Sequence, residues 1–264
     1  MKRREFLVGT AALATLPILP THASASPAYV LRPGTAEASL RGPDEPKTQV
    51  WAYNHSAPGP VIRIPRAKPV HIRVDNALPD PTTVHWHGIR IENAMDGVSG
   101  LTQQPIMPGA SFDYRFTAPD AGTYWYHSHH RSWEQIARGL YGLLIVNEDT
   151  PVDVDADLAF IADDWRLDED GQIAEGFGAL HEAAHGGRLG NWLTVNGDTK
   201  PKLNVRPNAR IRLRCVSAAN ARVMAFEFPG LTAHVIALDG QSLETPEILD
   251  GPLVLAPAQR VDLV

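Results

Sequence analysis

VIRIPRAKPVHIRVDN, residues 61 to 76, alternates apolar and polar side chains in two short runs with a proline-bearing break between them. In a β-strand every second side chain shares a face, so each run reads as a strand with one face toward a core. ASFDYRFTAPDAGTYWYHSHH (110–130), LYGLLIVNED (140–149), DLAFIADDW (157–165), ARIRLRCVSAAN (209–220) and AHVIALDG (233–240) repeat the theme between Pro, Gly, Asn and Asp breaks. Short strands at this spacing indicate an all-β sandwich or barrel. Residues 171–191 depart from it: they are Gly-rich and polar, with Leu180, Ala183 and Ala184 hinting at a short helix in a loop excursion.

The chain has 264 residues, enough for one large or two ordinary domains. An acidic, proline-containing link at VNEDTPVDVDAD (146–157) suggests the cut, giving domains over 26–150 and 151–264. PGPVIRIPRAKPVHIRVDN (58–76) and TKPKLNVRPNARIRLRCVSAAN (199–220) echo each other, as expected if one β-unit occurs twice. The final APAQRVDLV runs into a strand-like alternation with no closing turn, so the second unit is expected to be incomplete at its C-terminus.

Composition narrows the function. Hydrophobic residues at 44% and charged residues at 20% suit a soluble globular protein. The net charge of -6 argues against nucleic acid as the main partner, because phosphate binding needs a Lys/Arg excess. The single cysteine, Cys215, cannot form an internal disulfide and reads as a buried structural thiol. Residues 1–25 combine a basic start, an apolar middle too short to cross a bilayer comfortably, and Ala23-Ser24-Ala25 as a cleavage site. This is the pattern of a signal peptide. Arg3-Arg4 before Glu5-Phe6-Leu7 resembles a twin-arginine signal, with a general secretory signal as the alternative; either machinery would place the mature protein outside the bacterial cytoplasm, in the periplasm or beyond, without a stable membrane span.

Histidines carry the chemistry. VHWHG (84–88) and YWYHSHH (124–130) each contain a His-x-His, so His85 and His87 should share one strand face, and His127 and His129 another. Each pair would hold its imidazoles about 6–7 Å apart, roughly twice the strand rise. With metal–imidazole bonds of about 2 Å, that spacing suits neighbouring ions in a cluster better than a single chelated ion. Imidazole accommodates Zn, Cu, Fe or Ni, and residue type alone does not choose among them.

The run VHWHGIRI, MDGVSGLTQQPIMPG, AGTYWYHSHH and EQIARGLYGLLIV resembles the first cupredoxin domain of multicopper oxidases over nearly all of residues 45–150. Residues 157–264 resemble the second domain more loosely, through LTVNGDTKPKLNV, ALDGQSLETP and LAPAQRVDLV. The resemblance implies tandem cupredoxin-like Greek-key β-sandwiches and an oxidase that couples one-electron oxidation of a substrate to four-electron reduction of dioxygen to water. It implies that His85 binds a type 2 copper and that His87, His127 and His129 bind the type 3 pair. Asp96, in MDG, matches an acidic position that supports proton delivery in many members, and as a turn aspartate before Gly97 it has an ordinary reading too. Trp86, on the opposite face between two ligands, would pack and stiffen them, and Tyr124, Trp125 and Tyr126 are read as core or interface residues.

The family's type 1 copper uses HxxHxH and HCHxxxH motifs, and neither occurs in this sequence. The chain is therefore expected to supply half of a trinuclear copper site, with the type 1 site in a further domain and no activity alone. The reducing substrate, phenolic or a metal ion, is not legible. A catalytically inactive exported scaffold and a copper-binding protein without turnover are the alternatives. His130 has no counterpart in the motif, and His181 and His185, at i,i+4 spacing, read as a solvated loop or a surface metal site.

Overall fold

A computed structural model describes residues 28–264; the segment read as a signal peptide lies outside the described residues. The first half contributes β1 (Tyr29–Leu31), β2 (Pro33–Ala38), β3 (Thr48–Tyr53), β4 (Ile62–Pro65), β5 (Pro69–Asp75), β6 (His85–His87), β7 (Ser111–Thr117), β8 (Gly122–His127) and β9 (Tyr141–Asn147), with the helical turn α1 (Ser132–Gln135) between the last two. The second half contributes β10 (Ala156–Trp165), the short helix α2 (Leu180–Ala184), β11 (Trp192–Val195), β12 (Ile211–Ser217), β13 (Met224–Phe226), β14 (His234–Leu238), β15 (Gln241–Ile248), β16 (Leu253–Leu255) and β17 (Arg260–Leu263). The opening stretch forms β4 and β5 as its alternation predicts, and α2 falls on the residues that hinted at a helix.

In the first half, β4-β9-β8-β6 form one sheet, β1-β5-β7 a second and β2-β3 a ribbon. In the second half a six-stranded sheet has the order β11-β10-β12-β17-β14-β15, with β13-β16 beside it. The internal echo is partial. IRIP of the first half is β4, paired parallel with β9, whereas its counterpart KLNV (202–205) forms no strand and is exposed; only β5 and β12 correspond.

Three apolar clusters organise the packing. One lies inside the first half, around Ile62, Ile72, Trp86, Tyr114, Tyr126 and Leu144. A second lies inside the second half, around Phe160, Leu213, Cys215, Leu255 and Val261. The third joins the halves: Trp125, Tyr141, Leu143 and Ile145 meet Ile161, Trp165 and Val216. This third cluster explains why β8 is buried at every position and β9 at all but its last residue. A sheet covered on both faces needs apolar or satisfied side chains at every position, hence the unbroken run LYGLLIV. Gly122, at the start of β8, has φ +152°, and a Cβ there would collide with the Gly240 carbonyl of the other half. Glycine is thus required where the two backbones touch.

The same facing decides β12. Leu213 and Cys215 enter the second-half core, and burial raises the Cys215 thiol pKa, which keeps it protonated and inert as the sequence suggests. Arg212 and Arg214, on the alternate face, are not solvated. They are buried against the first half and meet four groups: Asp157, Asp262, Glu148 and Thr123.

Candidate metal centre

The cross-strand register of β6 and β8 sets His85 opposite His127, Trp86 opposite Tyr126, and His87 opposite Trp125. The closest approaches therefore run between strands as well as along them. His85 to His127 is 5.2 Å between ring centroids, against 5.6 Å for His85 to His87. The coordinating atoms of His85, His87 and His127 all lie within 4.8 Å of one another. The pattern of two His-x-His strands does not by itself reveal this convergence, because it depends on which residues pair.

His129 departs from the strand reading. β8 ends at His127, so His129 lies two residues beyond the strand. Polar groups hold this segment: Ser128 Oγ and Thr82 Oγ1 donate to Gln135 Oε1 at 2.5 and 2.8 Å, and the His129 amide donates to Thr83 Oγ1 at 3.3 Å. The His129 ring nevertheless lies 5.2 Å from His85 and 6.2 Å from His127. All four histidines line one cleft of about 690 Å³, whose other wall is built by Gly178, Glu182, Ala183 and Arg188 of the loop excursion and by Ala218–Asn220. His130 turns elsewhere: its Nδ1 is 3.0 Å from Ser99 Oγ, and it does not line the cleft.

The ring nitrogens are pre-assigned by their neighbours. His85 Nδ1 is 2.8 Å from the Asp96 carbonyl, and His127 Nδ1 is 2.9 Å from the Ser128 carbonyl. A carbonyl only accepts, so each Nδ1 carries the hydrogen and each Nε2 presents a lone pair. His87 Nδ1 stands 3.2 Å from His127 Nε2, a spacing compatible with two nitrogens each about 2 Å from a shared cation. Burial keeps these rings neutral: it drives His127 well below the usual histidine range and lowers His85, while burial and then the Arg260 charge bring His87 down to about 4. Neutral imidazoles with free lone pairs in an open cleft are a donor set that suits a transition-metal ion such as copper. The residues fit the metal.

Asp96 stands behind His85. Its backbone carbonyl accepts from Nδ1, and its half-buried carboxylate lies 3.3 Å from the same nitrogen. The following Gly97 adopts φ +78°, and a Cβ there would run into the Val84 carbonyl. Only glycine lets the MDG turn close against the strand that carries His85. Trp86 is fully buried on the reverse face, edge-on to Tyr114 at 5.2 Å.

Three comparisons with known proteins agree on the family. Sequence models described as multicopper oxidase match residues 35–151 and 159–264, and together they span most of the chain. The chain belongs to the multicopper oxidase family. It is 32% identical to laccase-2 of Cryptococcus neoformans var. grubii over 238 residues, covering 80% of this chain and 39% of that protein. Among solved structures, it resembles Lac15 from a marine microbial metagenome (43% identity, TM-score 0.78, 90% of this chain and 59% of that one) and a multi-copper oxidase from Pseudomonas thermotolerans (36%, TM-score 0.83, 90% and 58%). The fold is that of these proteins, tandem cupredoxin-like β-sandwiches, and copper is the metal the family implies. The chain spans about two fifths of the length of the laccase it matches.

Trp125 is the site residue that sequence reading left in the core. Its ring lies 4.2 Å from His127 and 5.1 Å from His87, and it forms the floor between the cluster and the apolar junction of the two halves. Its position two residues before His127 puts it on the same strand face, a parity that was available in the sequence. The excursion's role as a wall of the cleft had no such signal, since nothing in a Gly-rich loop says what it folds over. No helix among the described residues is long and apolar enough to cross a membrane.

Proposed function

We propose that this chain supplies one histidine face of a trinuclear copper site in an exported oxidase that couples one-electron oxidation of a phenolic or metal-ion substrate to reduction of dioxygen to water. The observation that carries this reading is the convergence of His85, His87 and His127, with His129 beside them, on one cleft. On this reading residues 26–150 and 151–264 are two cupredoxin domains, His85 is the type 2 ligand, and His87, His127 and His129 are type 3 ligands. The 3.2 Å approach of His87 and His127 supports giving those two a common role. Bound copper would store electrons taken singly from substrate and supply four of them to dioxygen without release of partly reduced oxygen.

The protein's own groups do the rest. The Asp96 and Ser128 carbonyls fix the tautomers and aim Nε2 of His85 and His127 into the cleft. Asp96 is positioned to hold and pass on a proton beside the His85 ring, and the reaction consumes four. Trp125 and Trp86 exclude water from the two faces of the strand pair. No HCHxxxH motif occurs in the sequence, so the electron-accepting copper and the remaining cluster ligands must come from outside these residues, and the chain alone would not turn over.

The test is to replace His127 and His129 with alanine and measure bound copper by metal analysis and paramagnetic resonance. Loss of most of the cleft copper is expected. Unchanged copper would remove the ligand assignment, and a wild-type protein that binds none would support the scaffold reading instead.

A further inference from the structure

His181 and His185 take no part in the cleft. α2 carries His181, and His185 follows directly at its C-terminal end; both side chains are exposed. Four residues apart, they lie on one helix face. Their rings stack with centroids 4.3 Å apart and planes 28° from parallel. His185 Nδ1 lies 2.9 Å from the His181 carbonyl, so it donates, and the tautomer leaves Nε2 with its lone pair. The His181 ring has no hydrogen-bond or ion-pair partner among the described residues. Glu182 stands between them in sequence, but its carboxylate is taken by Arg166, and it faces the cleft.

We propose that His181 and His185 form a second, exchangeable metal site on the outer face of α2, taking one divalent transition-metal ion through two imidazoles, with water in the remaining positions. The ordinary affinity order for such nitrogen sites puts Cu(II) above Ni(II) and Zn(II). One ring is oriented by a main-chain bond and the other makes no hydrogen bond, so a chelate forms without breaking a hydrogen bond. Ala183 of the same helix lines the histidine cleft, which places this ion on the reverse of the wall that faces the cluster.

The measurement is Cu(II) binding by equilibrium dialysis and paramagnetic resonance in the protein carrying His127→Ala and His129→Ala, where the cleft contribution is reduced. One equivalent with an axial, nitrogen-coupled signal is expected to remain. Adding either His181→Ala or His185→Ala should weaken it by roughly a hundredfold, the order of gain that an intramolecular second ligand provides. Equal affinity in the single variants, or no such equivalent in their parent, overturns the proposal. Both side chains are exposed, so circular dichroism and melting temperature should match the parent and rule out misfolding as the cause.

Discussion

Thr123 and His127 stand on the same face of β8, with Trp125 between them, and the two ends of that face have opposite chemistry. At Thr123 the junction of the two halves is closed and charged. Arg214 donates to Thr123 Oγ1 at 2.8 Å and grips Asp157 with both Nε and Nη2 at 2.7 and 2.9 Å. Arg212 reaches Asp262 at 2.5 Å and Glu148 at 2.7 Å. At His127 the junction opens into a cleft, and burial there keeps the His127 ring uncharged. Buried charge is tolerated where every charge has a partner, and buried lone pairs are left free where a cation is to enter. One strand face thus both fastens the halves together and begins the metal centre.

The largest effect should come from breaking the closed end. Arg214→Ala leaves Asp157 and Asp262 with part of their pairing in a buried setting, and the loss is expected at about 3–5 kcal/mol. Denaturant unfolding reads it directly. A change below about 1 kcal/mol, the range of exposed pairs, would mean that the network is not what joins the halves.

A smaller effect separates the two ends by pH. Asp163, fully buried beside Tyr141 with Oδ2 unpartnered, has a pKa pushed up by burial to about 7, so the fold favours its protonated form. Its contribution is fully present below the unfolded value near 3.8 and is lost as pH rises through about 7. His87 acts in the opposite sense: its pKa falls from 6.5 to about 4, so the metal-free fold is favoured above 6.5 and loses stability as pH drops toward 4. Asp163→Asn is expected to stabilise the metal-free protein at pH 7 by on the order of 1–3 kcal/mol, because each tenfold change in proton affinity between the folded and unfolded chain is worth about 1.4 kcal/mol. It should also steepen the loss on acidification, because the opposing contribution is gone. Parallel stability–pH curves for the two proteins would contradict this assignment of the titrating groups.

The smallest effect tests the support behind the ligands. Gly97→Ala should push the MDG turn off Val84 and carry Asp96 away from His85. We expect a loss of about 1–3 kcal/mol, as for a strained left-handed position, and roughly tenfold weaker copper binding, the low end for removing a ligand's hydrogen-bond partner. Calorimetry and competitive chelation give the two numbers. Weaker stability with unchanged copper affinity would make the turn a purely structural device.

Much of this protein was legible in the sequence for a physical reason. Period-2 alternation is a local property, so β4, β5, β7, β8, β10, β12 and β14 could be located from their own residues, and so could the shared strand face of His85 and His87. His-x-His beside aromatic residues marked the candidate metal ligands before any strand was paired. Alternation names two faces and does not say what covers the second. RIRLRC alternates arginine with apolar residues, and Arg212 and Arg214 are buried because the first half of the chain lies over them. Nor does spacing along a strand fix spacing across one. The meeting of His85, His87 and His127 follows from the β6–β8 register, the placing of His129 from the segment that Gln135 holds through Ser128, and the far wall of the cleft from a loop about fifty residues further on. The sequence determined the strands and the donors, which depend on neighbours in the chain. Only the tertiary structure decided which donors share a space, because that depends on contacts between residues far apart in it.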